Sequence, residues 1–487
     1  MKLGLLAGVA GIAVVAMTAL ASAQGTLRIA MTAADIPKTH GQPDQGFEGN
    51  RFTGIPMYDA LTAWDLSSAD KPSVVIPGLA TEWAVDAGDK TKWVFKLRPG
   101  VKFHDGSAFD ADAVVWNVDK VLKQDAVHFD PSQVGVTASR MPTLRSARKI
   151  DALTVELTTS QPDSFLPINL TNLFMASPAH WQKLYDAAPG ADAKAKAAAA
   201  WTAFAANASG TGPFRMDRFV ARERLEVVKH AEYWDKAKIA KLDRVVMLPM
   251  PEANTRTAAL LSGQVDWIEA PAPGLMEPAR GTVPPGHPWW GNPGFDIKYD
   301  PDAARKLMGE AGFSKAKPLT VKIQTSASGS GQMMPLPMNE LMQQNLADCF
   351  FKVDLDVIEW NTLFTNWRRG AKDETARGAH AINVTYAAMD PFFAMARFLD
   401  SKMAPPVSNN WGFVNDPEFD RLVAEARSTF DAAARDAALA RLHARSVDEA
   451  VFLWVAHDVG PRAMTQRVKG FVQPKSWFID LTTVSMQ

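Results

Sequence analysis

In TKWVFKLRP, Trp93, Phe95 and Leu97 alternate with Val94, Lys96 and Arg98. That period of two, rich in aromatics, predicts a half-buried strand. Pro99-Gly100 ends it, and Asp105-Gly106 makes a second turn. Asp110 then stands at a helix N-cap, with Asp112 in the first turn. Val114, Val115, Val118, Val121 and Leu122 fall on one face at helical spacing. The stretch LRPGVKFHDGSAFDADAVVWNV therefore reads as strand, tight turn and capped helix. In that setting His104 and Asp105 are turn residues rather than members of a catalytic or metal site.

The same patterning extends along the chain. TLRIAMTA predicts a short buried strand, and PMYDALTAWDL a helical segment with Tyr58 and Trp64 near its ends. VIPGLATEWAV adds strands before TKWVFKLRP. Residues 190–208, rich in Ala and Lys, predict an exposed helix. RERLEVVKHAEYWD reads as strand and turn, and LDRVVMLPMPEANTRTAALLSGQVDWIEAPAP as strand, helix, strand. The Pro-rich loop PARGTVPPGHPWWGNPGF then marks a boundary. Beyond it, Asp300-Pro301 opens a helix that Gly312 closes. PLTVKIQTSA, KVDLDVIEW, HAINVTY and VFLWVAH read as strands. MNELMQQNLADCF, PEFDRLVAEARS and a segment ending near residue 447 read as helices. Strands and helices interleave throughout, so the fold class is α/β. At 487 residues the chain exceeds one compact core and implies two or three lobes.

Composition narrows the function. The 52 Lys plus Arg nearly balance 53 Asp plus Glu, which argues against nucleic acid or an anionic membrane as partner. The 15 Trp fit either a large core or an aromatic-lined pocket. Residues 1–23 place Lys2 before an apolar run ending in Ala21-Ser22-Ala23, the pattern of a cleaved secretory signal. The single cysteine, Cys349, excludes an internal disulfide and reads as a buried small hydrophobe. No nucleophile elbow, H-E-x-x-H, P-loop or paired C-x-x-C occurs, and the nine His are scattered. The chain points to capture of a solute rather than to an enzyme, and to no cofactor or metal.

Several stretches resemble one family: PGLATEWAV, KWVFKLRPGVKFHDGSAFDADAVVWNV, GTGPFRM, the EYWD turn, RTAALLSGQVDWI, YDPDAARKLMGEAGF and NDPEFDRLVAEA. In this order they resemble the family 5 extracellular solute-binding proteins, the periplasmic dipeptide, oligopeptide and nickel receptors of ABC importers. The resemblance implies a two-lobed periplasmic binding protein of type II with an extra subdomain. Lobe I would comprise residues 24–273 and 458–487, with the subdomain at about 51–200. Lobe II would comprise residues 274–457. It also implies a monomeric, cofactor-free periplasmic receptor that hands a small organic solute to an inner-membrane permease and its ATPase subunits. The expected cleft residues are Tyr58, Trp360, Asn361, Tyr386, Asp390, Phe392, Asn409, Asn410 and Trp411.

Two departures from the family stand out. Peptide-binding relatives hold the ligand's amino group with an acid just upstream of a DP element. Here that neighbourhood is Tyr386-Ala387-Ala388-Met389, and only Asp390 remains. A segment that relatives carry after the QVD strand is also missing, because APAPG runs almost directly into LMEPARGTVPPGHPWWG. A nickel or metal-chelate receptor, or a deletion variant with impaired binding, are the alternatives.

Overall fold

The computed structural model describes residues 25–40, 48–271, 276–327, 334–385 and 389–487. The expected signal at 1–23 and the boundary at Pro273-Gly274 lie outside the described residues. Among those described, no helix is long and apolar enough to cross a membrane.

The strand Thr26–Met31 runs through the centre of a six-stranded sheet. The order is Arg462–Met464, Trp267–Glu269, Thr26–Met31, Arg244–Pro249, Arg224–Lys229 and Phe214–Val220. The central strand is parallel to both of its neighbours. Leu27, Ile29 and Met31 are fully buried, as an apolar strand covered on both faces requires. Their core cluster also takes in Ile479, Leu481 and Val484 near the C-terminus. The Ala-rich helix Ala193–Ala206 is not fully exposed as its composition suggested. Ala197, Ala200, Trp201 and Phe204 bury one face in this cluster, since small Ala residues let the helix approach closely while the two aromatics fill the seam.

A second sheet of four antiparallel strands has the order Ala80–Val85, Lys92–Leu97, Thr154–Thr159, Leu144–Asp151. Trp93, Phe95 and Leu97 point into a core shared with Val114, Val118 and Val121 of the helix Ala111–Leu122. Asp110 caps that helix by accepting from the Ala113 N–H at 3.0 Å. The KFHDG turn is a structural clamp. His104 Nδ1 accepts from the Gly210 N–H at 3.3 Å, and its Nε2–H donates to the Gly212 carbonyl at 3.0 Å. Burial holds its pKa down at about 4, so the ring stays neutral at physiological pH. Asp105 accepts from the hydroxyls of Ser107 and Ser177.

PMYDALTAWDL departs from its expected helix. A helical stretch runs from Gly49 to Met57, and Tyr58 is extended (φ −134°, ψ 164°). Thr62–Trp64 then forms a strand with Val75–Pro77. Asp59 fixes the extended path, because its carboxylate accepts from Tyr233 Oη, Trp234 Nε1 and Thr211 Oγ1 within 2.9 Å. Three tertiary hydrogen bonds outweigh a local helical preference.

The second half builds a three-stranded parallel sheet in the order Phe351–Ile358, Leu319–Ser326, Ala381–Ile382. Another core gathers Phe392, Leu399, Phe419, Leu422 and Leu439 between the helices Pro417–Ser428 and Ala432–Asp448. Two expected strands are shorter than their apolar runs. HAINVTY keeps its ladder only as far as Asn383, and Val384 and Thr385 then line a cavity. In VFLWVAH only its last two residues pair, in the strand Ala456–Asp458; Phe452, Leu453 and Trp454 all line the same cavity.

Two segments cross side by side between these halves. Trp267–Glu269 pairs antiparallel with Arg462–Met464, and Met276–Pro278 pairs antiparallel with Ala456–Asp458. The Ala270 N–H donates to the Pro461 carbonyl at 3.0 Å between the two ladders.

Candidate functional site

A cavity of about 1570 Å³ lies between the two halves. It exceeds the usual range of small-molecule pockets, roughly 300–1,000 Å³. Trp64, Trp83 and Trp93 line it from the first half, and Trp360, Trp411 and Trp454 from the second. The tryptophan excess in the composition thus goes largely to a pocket wall. The halves also touch beside the cavity. The Ser164 N–H donates to the Arg427 carbonyl at 2.7 Å, and the Arg427 guanidinium lies 3.4 Å from the Asp163 carboxylate. Phe165 is inserted among the buried residues of the second half.

The structure sorts the expected cleft residues. Trp360 opens the helix Trp360–Trp367, lines the cavity and is only 7% exposed. Its indole Nε1 is buried with no hydrogen-bond partner among the described residues. Asn409 is 1% exposed and lines the cavity, and both polar atoms of its amide lack a partner there. Buried amides are ordinarily bonded, so these groups are free for something that enters the cavity. Trp411 completes the same wall and packs with Trp367 and Phe398. Asn410 also lines the cavity, but its amide is consumed locally. It donates to the carbonyls of Asp400 and Val414 and accepts from the Val414 N–H.

The remaining expected residues lie elsewhere. Tyr58 is buried in the first core and donates to the Thr39 carbonyl, beside a separate cavity of about 330 Å³. Asn361 is exposed on the second residue of its helix, outside the large cavity. Phe392 is fully buried in the second-half core, and its neighbour Phe393 faces the cavity instead. Tyr386 lies outside the described residues. Asp390 sits beneath the wall, where its carboxylate caps the helical stretch from Phe392 by accepting from the Phe393 N–H at 2.7 Å. Burial pushes its pKa up to about 6, against the pull of that hydrogen bond and of Arg397 and Arg140.

The charged residues around Phe393 were not legible in the sequence. Arg140 and Arg397 both place a guanidinium over the Phe393 ring, at 4.9 and 4.4 Å from its centroid, and both line the cavity. Burial, helped by nearby Arg368 and opposed by Asp390, lowers the Arg397 pKa to about 9. Burial alone brings Arg368 down to about 10. Arginines from positions 140, 368 and 397 carry no local motif that announces their meeting. Among the described residues, no group of three or more His, Cys, Asp or Glu is placed to hold a metal ion.

Known proteins share this architecture. A dipeptide-binding protein from Pseudoalteromonas sp. SM9913, solved in complex with Met-Leu, superposes with a TM-score of 0.77 at 19% identity, over 95% of this chain and all of that one. The dipeptide-binding protein of Escherichia coli K12 is 24% identical, with 95% of each chain covered. The glutathione-binding protein GsiB of Pectobacterium atrosepticum is 24% identical over 88% of this chain and 91% of that protein. The model of the bacterial extracellular solute-binding proteins, family 5 Middle, matches residues 74–277 and 272–403, two stretches that meet where the sequence departs from the family's pattern. The cavity between two α/β halves and the match across most of the chain agree: this protein belongs to the family 5 extracellular solute-binding proteins, two-lobed receptors that bind a solute for import.

Proposed function

We propose that the chain is the periplasmic receptor of an ABC importer, that it closes its lobes on a small organic solute, and that it delivers this solute to an inner-membrane permease powered by ATPase subunits. Lobe I then comprises residues 24–273 and 458–487, with the subdomain at about 51–200, and lobe II residues 274–457. Trp360, Asn409 and Trp411 are the solute-contacting residues. The observation that carries this reading is Asn409, a buried amide in the interlobe cavity with neither polar atom satisfied. An amide in that condition costs stability unless a ligand completes it. The tryptophan walls supply flat apolar area for the body of the solute. The relatives named for dipeptides and glutathione indicate the size of solute that such a cavity accepts. Binding and closure are the whole mechanism, with no covalent chemistry.

The test is a thermal-shift screen of the processed chain against a solute library, followed by small-angle scattering with the hits. A solute at a hundred times its Kd adds about 2.7 kcal/mol. One chemical class should raise the melt and change the scattering profile. A melt that no solute moves would overturn the receptor reading.

A further inference from the structure

We propose that the smaller cavity within the first half is a second binding site, and that it takes a small molecule with an apolar ring and a primary amine or amide whose N–H groups bond Asn50 Oδ1. The site stands apart from the interlobe cavity and does not depend on the receptor reading.

This cavity has a volume of about 330 Å³. That lies within the usual range of small-molecule pockets, roughly 300–1,000 Å³. It is bounded by the paired strands Thr62–Trp64 and Val75–Pro77, by the turn that carries Tyr233 and Trp234, and by Phe478 and Thr482 near the C-terminus. Tyr58, Trp64, Phe174, Trp234 and Phe478 give it an aromatic wall. Among the described residues, Trp64 is the one that also lines the interlobe cavity.

Asn50 is 1% exposed and lines the cavity, and its Oδ1 has no hydrogen-bond partner among the described residues. A relay of amides fixes which end of this side chain is left over. Asn50 Nδ2–H donates to Asn172 Oδ1 at 3.1 Å, and Asn172 Nδ2–H donates in turn to the Asn169 carbonyl at 3.1 Å. Turning the Asn50 amide over would set oxygen against oxygen. The unmet group is therefore an acceptor, and a buried acceptor without a donor is costly. A ligand that completes it brings a donor.

The charged groups of the cavity narrow the chemistry. Asp59 lines the same cavity, and its carboxylate is met by neutral donors, Tyr233, Trp234 and Thr211. Burial pushes its pKa up, and Lys238 is the weakest of the groups that oppose this. A carboxylate has about four acceptor positions, so one stays open, and its charge repels an anion. Arg98, Lys236 and Lys238 are on the more exposed rim, and each is engaged. Arg98 donates to the Gly78 carbonyl at 3.3 Å and lies 4.4 Å over the Trp234 ring. Lys236 donates to the Tyr233 carbonyl at 2.9 Å, and Lys238 faces Asp480 at 3.9 Å. The cavity thus lacks donors, not acceptors. A primary amine or amide carries at least two N–H groups and can serve Asn50 and Asp59 together, whereas a hydroxyl carries one. The aromatic wall takes the ring, and it also favours a cation if the nitrogen is charged.

The experiment is fluorine NMR of the processed chain labelled with fluorotryptophan. Trp234 lines the small cavity alone and Trp411 the interlobe cavity alone, so their resonances, assigned through Trp234→Phe and Trp411→Phe, report the two sites separately. The probes are benzylamine, benzamide and benzoate. Benzylamine, benzamide or both should move the Trp234 resonance to saturation, and benzoate should not. Which of the two acts separates recognition of an ammonium from recognition of a neutral amide. Asn50→Leu should raise the half-saturating concentration at least tenfold. Ala63→Phe fills the cavity from the strand Thr62–Trp64 while keeping both asparagine amides, and it should abolish the response; it carries the test if Asn50→Leu fails to unfold cooperatively in urea. The inference is overturned if benzoate acts as well as the amine and amide, if the response survives either variant undiminished, or if no probe moves Trp234 up to its solubility, in which case the cavity holds only water. A probe that moves Trp411 but not Trp234 occupies the interlobe cavity; the second site then falls and the receptor reading stands.

Discussion

Arg51 and Glu269 form a buried ion pair 3.0 Å long across 218 positions of sequence, at the point where the chain leaves the first lobe. Glu48 accepts from the same guanidinium at 3.0 Å, and Arg462, on the returning segment, lies 3.2 Å from Glu269. The Trp477 ring stacks on Arg51 at 3.9 Å. Burial opposes ionisation of Glu269, yet Arg462 and Arg51 outweigh it and hold the carboxyl below its ordinary range. Both crossing segments are thus pinned to one charge network at their root in lobe I, so that bending is left to the residues beyond it.

Arg51→Met should therefore be severe. It strands Glu48 and leaves Glu269 with one cation instead of two. Breaking a buried pair by removing one partner costs roughly 3–5 kcal/mol. Urea unfolding would measure this, and a loss below about 0.5 kcal/mol would show that the network does not hold the lobe.

Asn409→Ala should leave the solute-free melt no lower than the parent's, because the amide has no protein partner to lose and its buried, unmet polar atoms are removed. Affinity for the solute should fall by about 1–3 kcal/mol, or roughly 5- to 150-fold. Calorimetric titration of parent and variant decides it. An unaltered Kd would remove Asn409 from the binding surface.

Lys120 gives a pH-dependent prediction. Its ammonium is fully buried, with Asn117 Oδ1 at 2.8 Å and the Phe174 carbonyl at 3.3 Å, and burial lowers its pKa to about 7 against a weaker pull from Asp130. The unfolded chain binds this proton up to about pH 10. Between those values the unfolded state holds more protons, so stability rises with pH from 7 to 10 and is lost as pH falls toward 7. The difference is on the order of 4 kcal/mol at most. Lys120→Met removes the titration. Its advantage over the parent should be largest at pH 6 and shrink by pH 9.5, read from urea midpoints. A gap that does not change with pH would mean the lysine is charged in both states.

Gly212→Ala tests the clamp between the GTGPF turn and the chain near Tyr58. A Cβ there would lie 2.4 Å from the Met57 carbonyl carbon, inside any tolerated contact. Backbone, unlike a flexible side chain, cannot swing away. We expect a loss of about 2 kcal/mol or more in chemical unfolding, with the m-value unchanged. A neutral result would mean that the two turns are free to separate.

The sequence by itself determined the elements whose causes are local. The alternation of Trp93, Phe95 and Leu97 gives the strand Lys92–Leu97. Asp110, Asp300 and Asp416 cap the helices that follow them. The KFHDG turn is the structural element its Asp-Gly step suggested, and the family resemblance rests on such stretches. Period, caps and turn chemistry act within a few residues and so remain visible in one dimension. Tertiary structure decided the rest, because it brings together groups that no spacing links. Asp59 holds Tyr58 and its neighbours extended through residues more than 150 positions away, against a helical local pattern. Phe392 and Phe393 are adjacent and chemically alike, yet one is core and the other cavity wall, a choice made by the helical turn that Asp390 caps. Asn409 and Asn410 differ likewise, one with an unmet amide and the other fully bonded. The gathering of Arg140, Arg368 and Arg397 arises only when a loop before the strand Leu144–Asp151 meets two elements of the second half, since charge clustering depends on distance in space rather than on order in the chain.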